Sequence, residues 1–162
     1  MSKEIKDIEK IKNTIISNNK SLIITVSNKI NYPEIGYAPY IFLNSFFYIF
    51  SSELSPHIKH LLCNKKGMFM IIEDENKAKN IWARIRLKFE AQIKIVDRKE
   101  NNYHKICNQI ENTHGNTLNL IKQFNDFHLI EISPIKGRII TGFGNVFILD
   151  GVSLEVKNKI KL

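Results

Sequence analysis

The sequence predicts one domain of mainly β structure with peripheral helices, an α+β antiparallel barrel. Three observations predict it. Short, turn-bounded runs rich in β-branched and aromatic residues number about seven or eight against roughly three helical stretches. Strands and helices do not alternate as a doubly wound parallel sheet requires. A chain of 162 residues that is 43% hydrophobic can bury one sizeable core and no second one.

Ile5, Ile8, Ile11, Ile15 and Ile16 recur at helical spacing, so an amphipathic helix is expected over 4–18. The barrel is expected over 21–150, and a basic C-terminal tail over 151–162. SLIITVS (21–27) reads as a buried strand, and a turn over 28–32 leads to Pro33. YAPYIFLN (37–44) and FFYIFSS (46–52) extend the meander through a tight turn at Asn44-Ser45. SPHIKHLLCN (55–64) opens on Ser-Pro, a helix start, and places Ile58, Leu61 and Leu62 on one face. GMFMIIE (67–73) is a strand, and DENKAKN (74–80) a loop or single turn.

IWARIRLKFEAQIKIVDR (81–98) alternates Ala83, Ile85, Leu87 and Phe89 with Arg84, Arg86, Lys88 and Glu90, the period of one long strand. Residues 99–124 give one or two helices, interrupted near His114-Gly115. FHLIEISP (127–134), GRIITGFG (137–144) and NVFILD (145–150) close the chain as three short strands.

The formal net charge of +8 suits an anionic partner. No basic stripe is interleaved with aromatic residues, so nucleic acid is disfavoured. No run approaches the roughly 18 apolar residues of a membrane span, and the charged start lacks a secretory apolar core. A soluble, cytoplasmic protein is expected. Cys63 and Cys107 form no Cys-x-x-Cys pair and are expected as buried thiols.

Dinucleotide, phosphate-loop, nucleophile-elbow and zinc-helix motifs are missing, which argues against ordinary hydrolases and nucleotide enzymes. Only four of the 24 basic residues are arginine: Arg84, Arg86, Arg98 and Arg138. Arginine's planar fork suits carboxylate and phosphate. Arg84 and Arg86, read as neighbours on one sheet face, need either an anion or the acids Glu73, Asp74 and Glu75 to neutralise them. Arg138 has a plain structural reading, a pair with Glu131 or Asp150. His57 and His60, three apart on a helix, share a face compatible with a metal or anion, and an ordinary surface helix explains them as well. Tyr37, Tyr40 and Trp82 read as core or dimer contacts.

Several segments in order resemble the haem-utilisation proteins of the HugZ and HutZ type: PEIGYAPYI (33–41), FYIFSSELSPHIKHL (47–61), IIEDENKAKNIWARIRL (71–87) and DFHLIEISPIKGRIITGFGNVFIL (126–149). That group is a branch of the pyridoxamine 5'-phosphate oxidase-like, FMN-binding split barrels. The resemblance implies a homodimer of split β-barrels with a ligand at the seam. Members bind haem, and some degrade it with oxygen and a reductant to release iron. It also implies an arginine of the ARIRL segment near the haem, so Arg84 and Arg86 are the cofactor-binding candidates. The family's iron-ligating histidine near the C-terminus has no counterpart after His128, which leaves His57 or His60 as substitute iron contacts.

Flavin-using cousins carry Ser-Arg-Lys-x-x-x-Leu-x-x-Asn after the third strand. Here the frame is Ser55-Pro56-His57, then Leu61 and Asn64, without the basic phosphate clamp. An FMN-dependent oxidoreductase with the phosphate near Ser52, Ser55, His57 and Arg84 is therefore the alternative to haem. A non-catalytic binding module on the same dimeric scaffold is the third reading.

Overall fold

The computed structural model describes residues 2–160. Helix α1 (Lys3–Asn18) starts at Ser2, whose hydroxyl accepts from the Ile5 amide at 3.3 Å. Strands β1 (Ser21–Ser27), β2 (Pro33–Leu43) and β3 (Phe46–Ser52) follow, then helix α2 (Pro56–Asn64) and strand β4 (Lys66–Ile72). Strand β5 (Arg86–Val96), helices α3 (Tyr103–His114) and α4 (Thr117–Ile121), and strands β6 (Phe127–Ile140), β7 (Val146–Asp150) and β8 (Glu155–Lys159) complete the chain. The sheet runs β3-β2-β1-β4-β5-β6-β7-β8, and β3 also pairs with β6. Six strands thus close an antiparallel barrel, and β7 and β8 extend it beyond β6.

Inward positions fill the barrel. Leu87, Phe89, Ala91 and Ile93 point in from β5, and the Phe89 ring stacks on Phe47 at 4.9 Å and on Phe69 at 5.4 Å. Each buried phenylalanine contributes about 2 kcal/mol by leaving water. Helix α2 adds Ile58 and Leu61 to this core, and α1 adds Ile8, Ile15 and Ile16. A second cluster lies outside the barrel, where Tyr103, Ile106 and Ile110 of α3 and Leu118 of α4 cover Ile41, Tyr48, Phe50 and Leu129.

Four expectations need correction. The segment 81–98 is not one strand: Ile81–Ala83 is a 3-10 turn whose start is fixed by the Asn80 side chain accepting from the Trp82 amide at 2.9 Å, and pairing begins at Arg86. The two strands expected over 127–134 and 137–144 are a single strand. Glu90 faces Lys136 and Ala91 faces Pro134, so Ile135 is an extra residue that bends β6 without ending it. Pro134, which has no amide to donate, is tolerated at such a bulge.

The expected basic tail carries β8. The buried Lys12 ammonium donates to the Ser153 and Leu154 carbonyls at 3.1 and 3.0 Å, and Glu9 accepts from the Val156 amide at 2.7 Å. Lys12 and Glu9 are themselves 2.7 Å apart, so α1 holds the last hairpin with a partly buried ion pair. Lys161 and Leu162 lie outside the described residues. Finally, Cys63 is exposed, and only Cys107 is buried.

Gly137 sits where β6 crosses closest to β5. A Cβ there would lie 2.5 Å from the Lys88 carbonyl oxygen and 2.9 Å from the Phe89 Cβ, both on a strand that cannot yield. Gly137→Ala is expected to cost about 1–3 kcal/mol, seen as a lower urea midpoint at unchanged slope. An unchanged midpoint contradicts this close approach.

Candidate functional site

Helices α3 and α4 cover one half of the barrel's outer surface, and the other half is left open. Across β2, β1, β4, β5, β6 and β7 the successive register partners Tyr37, Ile23, Met70, Lys88, Arg138 and Ile148 form one outward row. A second row runs Ile35, Thr25, Met68, Glu90, Lys136 and Asp150. A third holds Ile72, Arg86, Ile140 and Val146. Ile35 is 71% exposed, Tyr37 70%, Met68 42% and Ile148 36%, so a broad apolar surface lies beside a group of cations.

Arg84 and Arg86 do not sit side by side on a strand. Arg84 follows the 3-10 turn, and its fork is used within its own loop. Its Nε donates to the Glu73 carbonyl at 2.9 Å, its Nη2 donates to the same oxygen, and its Nη1 meets Glu75 Oε1 at 3.0 Å. Glu73 also accepts from the Ile85 amide at 3.1 Å through its carboxylate. Arg84 therefore ties the 73–85 segment into a strap and leads the chain into β5. Arg86 is the one left facing outward. Its Nη1 donates to the Arg84 carbonyl at 3.0 Å, and among the described residues it has no acidic partner.

What sequence reasoning missed is the pairing of Lys88 with Arg138, directly opposite each other on β5 and β6. Their adjacency depends on the unbroken β6, which the sequence reading had divided. Arg138 faces Lys88 and Ile148, whereas Glu131 accepts from the Tyr48 hydroxyl at 2.8 Å and Asp150 faces Lys136. Neither proposed acid reaches Arg138.

The histidines are elsewhere. A Cβ on Gly36 would lie 2.2 Å from the His57 ring, so the imidazole rests against the inward side of β2, at the mouth that α2 plugs. Arg86 points outward from β5, three strands away in the sheet. One chain does not bring the two together. His60 lies half-buried on the same helix. His114 bonds the Tyr40 carbonyl and His128 meets Glu53, each at 2.8 Å, so both have partners. Among the described residues, no three His, Cys, Asp or Glu side chains are grouped to hold a metal ion.

The α2 start is a poor cradle for a flavin phosphate. The Ser52 hydroxyl bonds the Asp126 carboxylate and accepts from the Leu54 amide at 3.1 Å. Ser55 makes no capping bond, and Pro56 has no amide to offer. Burial lowers the His57 pKa, with Glu34 opposing in part, so the ring is neutral at neutral pH. A dianion there meets Asp126 and a neutral imidazole where the cousins offer two cations.

No family model matches the chain. It is 30% identical over 122 residues to haem oxygenase HutZ of Vibrio cholerae serotype O1, a match covering 75% of this chain and 69% of that one. The chain belongs to the HutZ family. A crystal structure of HutZ from Vibrio cholerae, described as a haem storage protein, superposes with a TM-score of 0.75 at 24% identity, over 90% of this chain and 97% of that one. Campylobacter jejuni ChuZ gives 0.83 at 25% identity, over 97% of this chain but only 66% of its own. A pyridoxamine 5'-phosphate oxidase-like protein of Listeria innocua gives 0.62 at 15% identity, over 83% and 99% of the two chains, which shows the shared split-barrel fold. No helix among the described residues is long and apolar enough to cross a membrane.

Because burial depresses the His57 pKa below its ordinary 6.5, the folded state binds fewer protons here than the unfolded chain does. The resulting stability is present in full above pH 6.5 and is lost as the pH falls through the depressed value. The urea midpoint should drop as the pH falls from 6.5 to that depressed value, and His57→Asn should flatten the drop. Equal acid slopes in the two proteins contradict this placement of the ring.

Proposed function

We propose that this chain is a cytoplasmic haem-binding protein of haem utilisation that acts as a homodimer and holds the porphyrin at the seam between two copies. In a chain of the HutZ family, the observation that carries this reading is the uncovered outer face. It offers apolar surface from Tyr37, Met68, Met70 and Ile72 to a flat ring, and the Arg86 guanidinium to a propionate. The barrel interior is already filled, so a ligand of that size is met outside it.

His57 and Arg86 lie on opposite sides of the sheet in one chain, so a ligand touching both is shared between copies. His57 and His60 are the imidazoles within the proposal for the iron, with the neutral His57 ring in the form a ligand needs. Haem, when bound, supplies the iron centre that takes up oxygen and electrons. The protein's own part is to bind the propionates, exclude water from the ring faces and hold an imidazole near the metal. The oxygenase activity named for HutZ is the finer part of this proposal. Two unpaired cysteines fit the reducing cytoplasm.

Haemin added to the purified protein should give a shifted, saturable Soret band. Arg86→Ala should weaken binding about tenfold or more, the scale of one charge-assisted hydrogen-bonded pair. With ascorbate and oxygen the Soret band should decay, and more slowly in a His57→Ala/His60→Ala protein. A spectrum no different from that of an unrelated basic protein, or one indifferent to Arg86→Ala, overturns the reading. Added FMN should keep its fluorescence, because the α2 start lacks a phosphate clamp.

A further inference from the structure

We propose that Lys88 and Arg138 form an oxyanion-binding site that takes a carboxylate of the bound ligand, and that filling it lets two copies close face to face. The inference rests on the homodimer reading above and adds a site and a coupling to it.

Lys88 and Arg138 are direct cross-strand partners, so their side chains leave the sheet side by side. Like charges in that position repel. In a folded chain such a pair is ordinarily neutralised by an acid, and among the described residues neither cation is in an ion pair. Glu90, one residue row away, is 3.6 Å from Lys136, and Asp150 also faces Lys136. Those two acids therefore serve the neighbouring lysine. Arg86, one row away on the other side, adds a third cation to the group.

The pair also lines a concavity. A cleft of about 420 Å³ lies along β4 to β7, with Met68 and Ile148 as apolar walls and Lys88, Arg138 and the paired Lys136 and Glu90 as its polar edge. Apolar walls with two adjacent cations fit a carboxylate or phosphate carried on an apolar body.

While the face is open, water screens the three cations at little cost. When two copies close over it, the cations of both lose that water, and their repulsion strengthens as the local dielectric falls. An anion seated between Lys88 and Arg138 cancels much of this repulsion. By linkage, whatever promotes closure then tightens anion binding to the same degree.

The test is the dimer dissociation constant, measured by sedimentation in dilute sodium chloride for the wild type and for Lys88→Gln/Arg138→Gln. Both positions are solvent-facing, so the variant keeps the fold. Without other anions, the variant should dimerise about tenfold more tightly than the wild type. Iron-free protoporphyrin, which carries the two carboxylates and no metal, should tighten the wild-type dimer and tighten the variant, which keeps Arg86, much less. Millimolar phosphate is the second arm. If it tightens the wild type alone while protoporphyrin fails to bind, the site stands with a free oxyanion as its occupant, and the haem reading fails instead. Equal dissociation constants for the two unliganded proteins, equal tightening of both by protoporphyrin, or a monomer under every condition overturns the proposal.

Discussion

Phe47, Phe69 and Phe89 stack through the middle of the barrel, and Leu22, Ile24, Ile71 and Leu87 pack around them with almost no exposure. A six-stranded barrel filled in this way gives a solid support for a site built on its outside. The outer surface is then divided by the chain's own helices. Where α3 and α4 lie, tyrosine, isoleucine and leucine side chains are taken out of water. Where they do not, the same alternation of the strands leaves tyrosine, isoleucine and methionine facing outward beside arginine and lysine. The proposed function follows from which side of the barrel its helices leave open.

The two ends of the chain serve that arrangement. Helix α1 holds β8 through Lys12 and Glu9, which fixes the β7–β8 extension at one border of the open face. The 73–85 strap is held by Arg84, and the strand it delivers begins with Arg86 facing outward. Two arginines one residue apart therefore do different work. Arg84 uses all three of its nitrogens on its own loop, and Arg86 keeps its charge for whatever approaches the sheet. Replacing either with lysine would keep the charge but remove the fork that the geometry uses.

Much of this was legible in the sequence because its signals were local. The 3.6-residue period of the isoleucines marked α1, the Ser-Pro start marked α2, and the alternation of Leu87, Phe89 and Ala91 marked β5. The failures were where long-range contacts override local pattern. Alternation alone ran β5 back through Arg84, because nothing local shows that Asn80 caps a turn or that Glu73 draws in the guanidinium. Pro134 and Gly137 read as a break, because a bulge in a continuous strand and a turn between two strands use the same residues. The tail pairs with β7 as a strand and is held from the far side by Glu9 and Lys12, about 140 residues earlier. The Lys88 and Arg138 pair was illegible for the same reason: their adjacency is a matter of register between β5 and β6. Family resemblance found the fold and the Arg86 segment, and it could not show which arginine was already occupied.

The central claim is that the open outer face is covered in the working protein. Hydroxyl-radical footprinting tests it directly, since Tyr37 and Met68 are reactive side chains within that face, while Trp82 and Phe143, 80% and 72% exposed, lie on loops outside its rows. The account predicts that at micromolar concentration, with haemin present, Tyr37 and Met68 are strongly protected while Trp82 and Phe143 react as their exposure in the single chain dictates. Oxidation of Tyr37 and Met68 at the rate of equally exposed free surface, unchanged by haemin, would contradict it.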